Sequence, residues 1–172
     1  MKKLSAKKYV LFSLIIAVGI AIDQFTKFLA VKYLGISTPI IKDVLHLTYV
    51  ENEGAAFGML ADSRWVFMLI STVAILIMAF YLYAGLAQGR LYEISVALII
   101  SGGIGNMIDR VALGYVVDMI DFCLINFAVF NVADSFVCVG AGLLVLALIL
   151  EIVDESKKMK AKKKENDTDG KR

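Results

Sequence analysis

The sequence predicts an all-α membrane protein: a four-transmembrane-helix bundle with a small extracytoplasmic β element between spans one and two. Three observations lead there. Composition is the first: 172 residues, 59% hydrophobic, with a mean hydropathy of +0.77, too apolar for a soluble domain. Segmentation is the second, since four apolar stretches each approach the ~20 residues that a helix needs to cross a bilayer. Charge is the third. The net charge is only +2, yet Lys2, Lys3, Lys7 and Lys8 precede the first stretch, and Lys157, Lys158, Lys160, Lys162, Lys163 and Lys164 follow the last.

The elements follow in order. Span one covers about 9–34 and is interrupted by Asp23 and Lys27. Span two, 65–87, holds no charged residue. Span three is 92–113, with polar residues crowded at its end, and span four is 127–153. Residues 1–154 form one membrane-embedded unit, and 155–172 are expected to be a disordered basic tail lying against anionic lipid. The first span is too long for the apolar core of a signal peptide, and no small-residue site closes a short one, so no cleavable signal is expected.

The connection 88–91 is a tight turn, whereas 35–64 is long. Within 43–58 the run Val44-Leu45-His46-Leu47-Thr48-Tyr49-Val50 is β-branched and aromatic with partial alternation, predicting a short strand pair on the outer surface. Pro39, the only proline, predicts a turn before it. The Lys/Arg bias puts the N-terminus, Arg90 and the lysine tail on the cytoplasmic side. Residues 35–64 and 114–126 are then outside.

That topology gathers the intramembrane polar residues at one level. Asp118 follows span three, and Asp134, the only charge between residues 122 and 150, lies about two turns into span four. Both fall at the outer leaflet, at similar depth. Asp23 and Lys27 lie in the outer half of span one, and Asn106, Asp109 and Arg110 near the outer end of span three. A charge in hydrocarbon costs at least ~2.5 kcal/mol, so such residues need either a partner or a task. A pair of carboxylates is a means of activating water.

Each constellation also has a plain structural reading. Asn106 and Arg110 share a helix face, and Arg110 can hold a carboxylate in a two-pronged bond or simply snorkel beside Asp109. Asp23 and Lys27 have ion-pair spacing, which suits knitting span one to its neighbours or touching substrate. Asn131 stands three residues before Asp134 and can orient it or bridge helices. Asp121 competes with Asp118 as the outer acid, though a solvated loop acid suits it better. Gly102, Gly103 and Gly105 permit close helix approach. Asn52 and the small-residue run from Gly54 to Gly58 suit a turn or a close approach by another chain. His46 lacks a second histidine nearby and is a poor metal ligand. Cys123 and Cys138 match no metal spacing and no disulfide framework. Cys138 reads as packing and Cys123 as a free outer thiol.

Five motifs now stand in order: Asp23-Gln24-Phe25-Thr26-Lys27, Asn52-Glu53-Gly54-Ala55-Ala56-Phe57, Gly105-Asn106-Met107-Ile108-Asp109-Arg110, Val116-Val117-Asp118, and Phe130-Asn131-Val132-Ala133-Asp134-Ser135. Together they resemble the bacterial lipoprotein signal peptidases (signal peptidase II), over about residues 9–153. The resemblance implies an intramembrane aspartic endopeptidase. Such an enzyme removes signal peptides from diacylglyceryl-modified prolipoproteins, cutting before the lipidated cysteine. Its catalytic aspartates fall on Asp118 and Asp134, and its supporting residues on Asp23, Lys27, Asn52, Asn106, Arg110 and Asn131. It implies no metal and no cofactor, inhibition by the cyclic peptide globomycin, and residence in the bacterial cytoplasmic membrane with both termini inside. Membrane lipids are expected partners, and nucleic acid is not. The alternative class is a small proton- or cation-coupled transporter. That would place its charges near the midplane, whereas here they crowd the outer half.

Overall fold

The computed structural model describes residues 4–35, 37–54, 64–87, 89–125 and 127–169. Among the described residues, four α-helices and a small sheet follow one another as α1 (Ala6–Tyr33), β1 (Thr38–Ile41), β2 (Leu45–Asn52), α2 (Arg64–Tyr83), α3 (Arg90–Ala112), β3 (Val116–Asp121), a 3-10 turn (Cys123–Ile125) and α4 (Val132–Asp169). Among the described residues, α1, α3 and the part of α4 from Val132 to Ala161 are long and apolar enough to cross a membrane. The apolar part of α2, Met68–Tyr83, is shorter. Leu69, Ile70, Leu76, Ile77 and Phe80 on α2, like Val145, Leu148 and Ile152 on α4, face outward. A helix apolar on its outer face as well as its inner one is at home in lipid.

α3 lies at the centre, packed on α1, α2 and α4. Its glycines allow this. A Cβ at Gly102 would meet the Ala133 carbonyl oxygen of α4 at 2.2 Å, so only a residue without a side chain lets the two backbones touch there. At one end of the bundle Phe12, Leu82, Val96, Ala97 and Ile100 form an apolar cluster. There Lys8 of α1 pairs with Glu93 of α3, and Tyr92 donates to Glu151 of α4. At the other end Ala30, Val117 and Met119 pack beneath the sheet.

The sheet has the order β1-β2-β3, antiparallel throughout. This extends the expected strand pair. The partner on the far side of β2 is β3, supplied by the connection between α3 and α4 rather than by the one between α1 and α2. Its sequence Val-Val-Asp-Met-Ile-Asp is strand-like, but residues 116–119 are all buried, so there is no polar–apolar alternation to announce it. Pro39 sits in β1 opposite His46, not in a turn. β1 is an edge strand, where a missing N–H is tolerated.

α4 also departs from expectation at both ends. It begins at Val132, because Phe130 is held by a bridge to Ile120 of β3. It then runs on to Asp169, so residues 155–169 of the tail that was expected to be disordered are helical. Lys, Glu, Met and Ala are good helix formers, and Lys158 pairs with Asp154 at 2.6 Å one turn away.

Candidate active site

The site is built on the first turn of α4. Asn131 caps the helix: its Oδ1 accepts from the Asp134 N–H at 2.9 Å, and Asp134 Oδ2 accepts from the Asn131 N–H at 3.1 Å. This reciprocal pair is a capping box made from Asn and Asp, and it fixes the Asp134 carboxylate over the positive end of the helix. A third orphan donor, the Ala133 N–H, is taken by Asp23 Oδ1 of α1 at 2.9 Å. A polar residue at each of these places satisfies backbone that lipid could not.

Asn131 also reaches the second carboxylate. Its Nδ2 donates to Asp118 Oδ1 at 2.7 Å and to Asn106 Oδ1 at 3.0 Å. Asp118 Oδ2 accepts from Asn52 Nδ2 of β2 at 2.8 Å, and Asp134 Oδ1 accepts from Asn106 Nδ2 of α3 at 2.7 Å. Each carboxylate is thus held by two side chains or backbone groups, and one asparagine, Asn131, touches both. Asp118 is fully buried, at 1% exposure. Burial pushes its carboxyl up to about 6, and the Asp134 charge adds to this, while the bonds from Asn52 and Asn131 oppose it.

Beneath the pair lies a charged layer. Lys27 Nζ contacts Asp23 Oδ2, Asp109 Oδ2 and Asn106 Oδ1, each at 2.9 Å. Those three contacts use all three ammonium donors. Asp109 further accepts from Gln24 Nε2 at 2.9 Å and from the Val117 N–H at 3.0 Å, which ties β3 to α3. The geometry therefore favours the knitting role for Asp23 and Lys27, and it pairs Asp109 with Lys27 rather than with Arg110. Gln24, not singled out in the sequence, bonds Asp23, Asp109 and the Gly105 carbonyl. Its position one residue after Asp23 and three before Lys27, within an otherwise apolar span, was the available signal.

Arg110 stands close enough to Asp134, Asp118 and Asp109 to feel their charge. Its one hydrogen bond among the described residues is a long one of 3.5 Å from Nη1 to the Asn106 carbonyl. Asp121 does not join the cluster. It is three residues from Asp118 on one strand, hence on the opposite face, and it accepts from Thr48 at 3.4 Å. The Gly54 N–H donates to Asn52 Oδ1 at 3.0 Å, and Gly54 is buried, so a tight turn orients the Asn52 amide. Residues 55–58 of the small-residue run lie outside the described residues. Cys138, expected to be packed, faces outward.

An apolar helix bundle with a buried polar cluster at the end that carries its sheet defines a membrane-embedded enzyme. Solved structures agree: two described as bacterial membrane enzymes, at 2.3 Å and 1.9 Å resolution, superpose with TM-scores of 0.78 and 0.73 at 29% and 30% identity. They cover 84% and 80% of this chain and 90% and 92% of theirs. Residues 15–150 match the family model described as signal peptidase (SPase) II, and the chain belongs to that family. Lipoprotein signal peptidases of Caldanaerobacter subterraneus subsp. tengcongensis and Brevibacillus brevis are 51% and 46% identical, over 80% and 81% of this chain and 94% and 95% of theirs. Nothing in this kinship supports the transporter reading.

Proposed function

We propose that this protein removes signal peptides from diacylglyceryl-modified prolipoproteins as an aspartic endopeptidase, cutting before the lipidated cysteine with Asp118 and Asp134. The observation that carries the catalytic assignment is the bridging of these two carboxylates by one residue, Asn131, whose side-chain Nδ2 donates to Asp118 and whose backbone N–H donates to Asp134. Carboxylates so arranged do not both ionise cheaply, so the pair holds one proton. The ionised member takes a proton from water as the water oxygen attacks the scissile carbonyl. The protonated member gives its proton to the carbonyl oxygen, forming a gem-diol. In collapse the C–N bond breaks, the diol returns a proton to one carboxylate, and the other protonates the leaving nitrogen. The pair titrates as a unit, so neither proton belongs to a named residue.

Among the described residues Arg110 has N–H groups to spare, and they donate to backbone carbonyls of the extended substrate. Asn52 and Gly54 border the same space. The acyl chains lie in the cavity of about 420 Å³ between α2 and α3, whose walls include Ile75, Leu76, Ile104, Ile108 and Val111. Its apolar lining and its position toward the sheet end of α3 support this. The charge bias of the sequence supports four spans, two cytoplasmic termini, and a site at the outer leaflet of the bacterial cytoplasmic membrane. Globomycin then competes with substrate.

The test is incubation of the purified protein with a diacylglyceryl-modified prolipoprotein, read by gel shift, beside its unmodified counterpart. Cleavage of the modified form alone is expected. Equal cleavage of both forms would overturn the lipid requirement, and cleavage of neither would overturn the reading.

A further inference from the structure

The far end of the sheet holds a second cluster, away from the carboxylate pair. His46 on β2 lies opposite Asp121 on β3, and Cys123 opens the 3-10 turn that follows. A ring nitrogen of His46, a carboxylate oxygen of Asp121 and Cys123 Sγ all lie within 4.8 Å of one another. Ser37 Oγ bonds His46 Nδ1 at 2.9 Å and so fixes the ring. His46 Nε2 is buried and, among the described residues, is the only buried side-chain N or O atom without a hydrogen-bond partner. Asp43, close enough to act on Cys123, adds negative charge.

We propose that His46 Nε2, Asp121 and Cys123 bind a divalent transition-metal ion, of which zinc(II) is the best match. One imidazole, one carboxylate and one thiol are the three ligand types that zinc accepts together, and three protein ligands leave a fourth position for water. Tetrahedral ligation needs ligand atoms about 3.5 Å apart, given metal–ligand bonds of about 2.0–2.3 Å. Small side-chain rotations close that gap. With the ion bound, Nδ1–H donates to Ser37 Oγ, the outer contact that sets the tautomer of a ligating histidine and leaves the Nε2 lone pair free to bind. Binding displaces the thiol proton of Cys123.

This site does not touch the reacting groups. Asp121 is three residues from Asp118 on β3, ~10 Å at 3.3 Å per residue, and it points to the opposite face of the strand. Its effect is on the sheet, where the ion would tie β2 to β3 and to the 3-10 turn. In the sequence it is invisible, because His46 is separated from its partners by some 75 residues and only the strand pairing joins them.

The test uses the full chain in detergent, free of any affinity tag and stripped by a chelator. Cobalt(II) is the optical probe and zinc(II) the competitor. One cobalt per chain is expected, with a thiolate-to-cobalt charge-transfer band that zinc removes. Cys123→Ser should abolish the band, and His46→Ala and Asp121→Asn should each weaken binding at least tenfold. Cys138→Ser should change nothing. Circular dichroism of each variant shows that it remains folded. A wild-type protein without the band would overturn the proposal. So would a band that survives in Cys123→Ser, or affinities equal in all variants. Zinc should also raise the melting temperature of the wild type but not of Cys123→Ser, and an equal shift in both would count against the site.

Discussion

At the residue scale, the site depends on amides that hold its carboxylates: Asn52 bonds Asp118, Asn106 bonds Asp134, and Asn131 bonds both. Asp118→Asn and Asp134→Asn keep the shape of the side chain but cannot carry the proton. Each should reduce cleavage at least ~10²-fold in a folded protein, the range that general acid–base catalysis contributes. Asp121→Asn should cleave normally, since its carboxylate faces away from the pair. Turnover of the three purified variants under one assay decides the assignment; activity in either of the first two removes that residue. Arg110→Lys should lose about tenfold or more, because an ammonium cannot reproduce the guanidinium's forked, charge-assisted bonds. A fully active Lys variant would reduce Arg110 to a helix anchor. Protons provide an independent check. An exposed carboxyl in the unfolded chain titrates near 3.8, whereas burial raises Asp118, as one member of the coupled pair, to about 6 in the folded protein. Between those values the folded state holds a proton that the unfolded state has lost. The stability this residue contributes is therefore fully present below about pH 4 and is lost as pH rises through about 6. Asp118→Asn should flatten the fall in melting temperature across that window, and an unchanged slope would contradict the burial argument.

At the scale of elements, the contact of α3 with α4 is made by glycine. Gly102→Ala drives a Cβ to 2.2 Å from a backbone oxygen, so the helices must part. The expected loss is ~1–3 kcal/mol, the usual result of overpacking. Gly142 on α4 has nothing within 4 Å of a Cβ, and Gly142→Ala should be neutral or stabilising by up to ~1 kcal/mol. Thermal melts of both in the same detergent test the contrast; equal effects would mean that the close approach is unimportant. Helices were the legible part of the sequence, because length and apolarity alone mark a span. Asp23 and Lys27 were legible as a pair through their spacing, and Asn131 with Asp134 through theirs. β3 was not, since buried strand and apolar helix read alike over six residues. Asp118 was accordingly placed after a span, with no strand beneath it. Gln24 was overlooked because its three partners lie on α3 or next to it in the chain, and nothing local announces a bond across helices.

At the scale of the whole molecule, the end with the sheet carries the buried polar cluster and the opposite end carries anchoring contacts. Past Glu151, whose carboxylate accepts from Tyr92, the described side chains of α4 are mostly exposed, and the Lys158–Asp154 pair is among them. Exposed pairs of that kind contribute ~0–1 kcal/mol. Ending the chain after Asp154 should therefore leave cleavage in detergent unchanged, even though the removed segment is helical. A large loss of turnover in a folded truncation would refute the separation of the two ends. What the sequence could not reveal at this scale was which distant loops meet. Charge bias and periodicity located the polar residues along one level, while the pairing of β2 with β3, which brings Asn52 to Asp118, is decided only by the assembled fold.

The same pairing has a bearing on biogenesis. Asp118 is steadied by Asn52 from a loop made early and by Asn131 from one made late, and the first turn of α4 is completed by Asp23 from α1. A nascent chain paused before its last helix has neither Asp134 nor the amide that bridges the pair. If the pair acts as proposed, a newly made chain is silent until its last helix is in place, so it cannot nick neighbouring membrane proteins at the translocon before then.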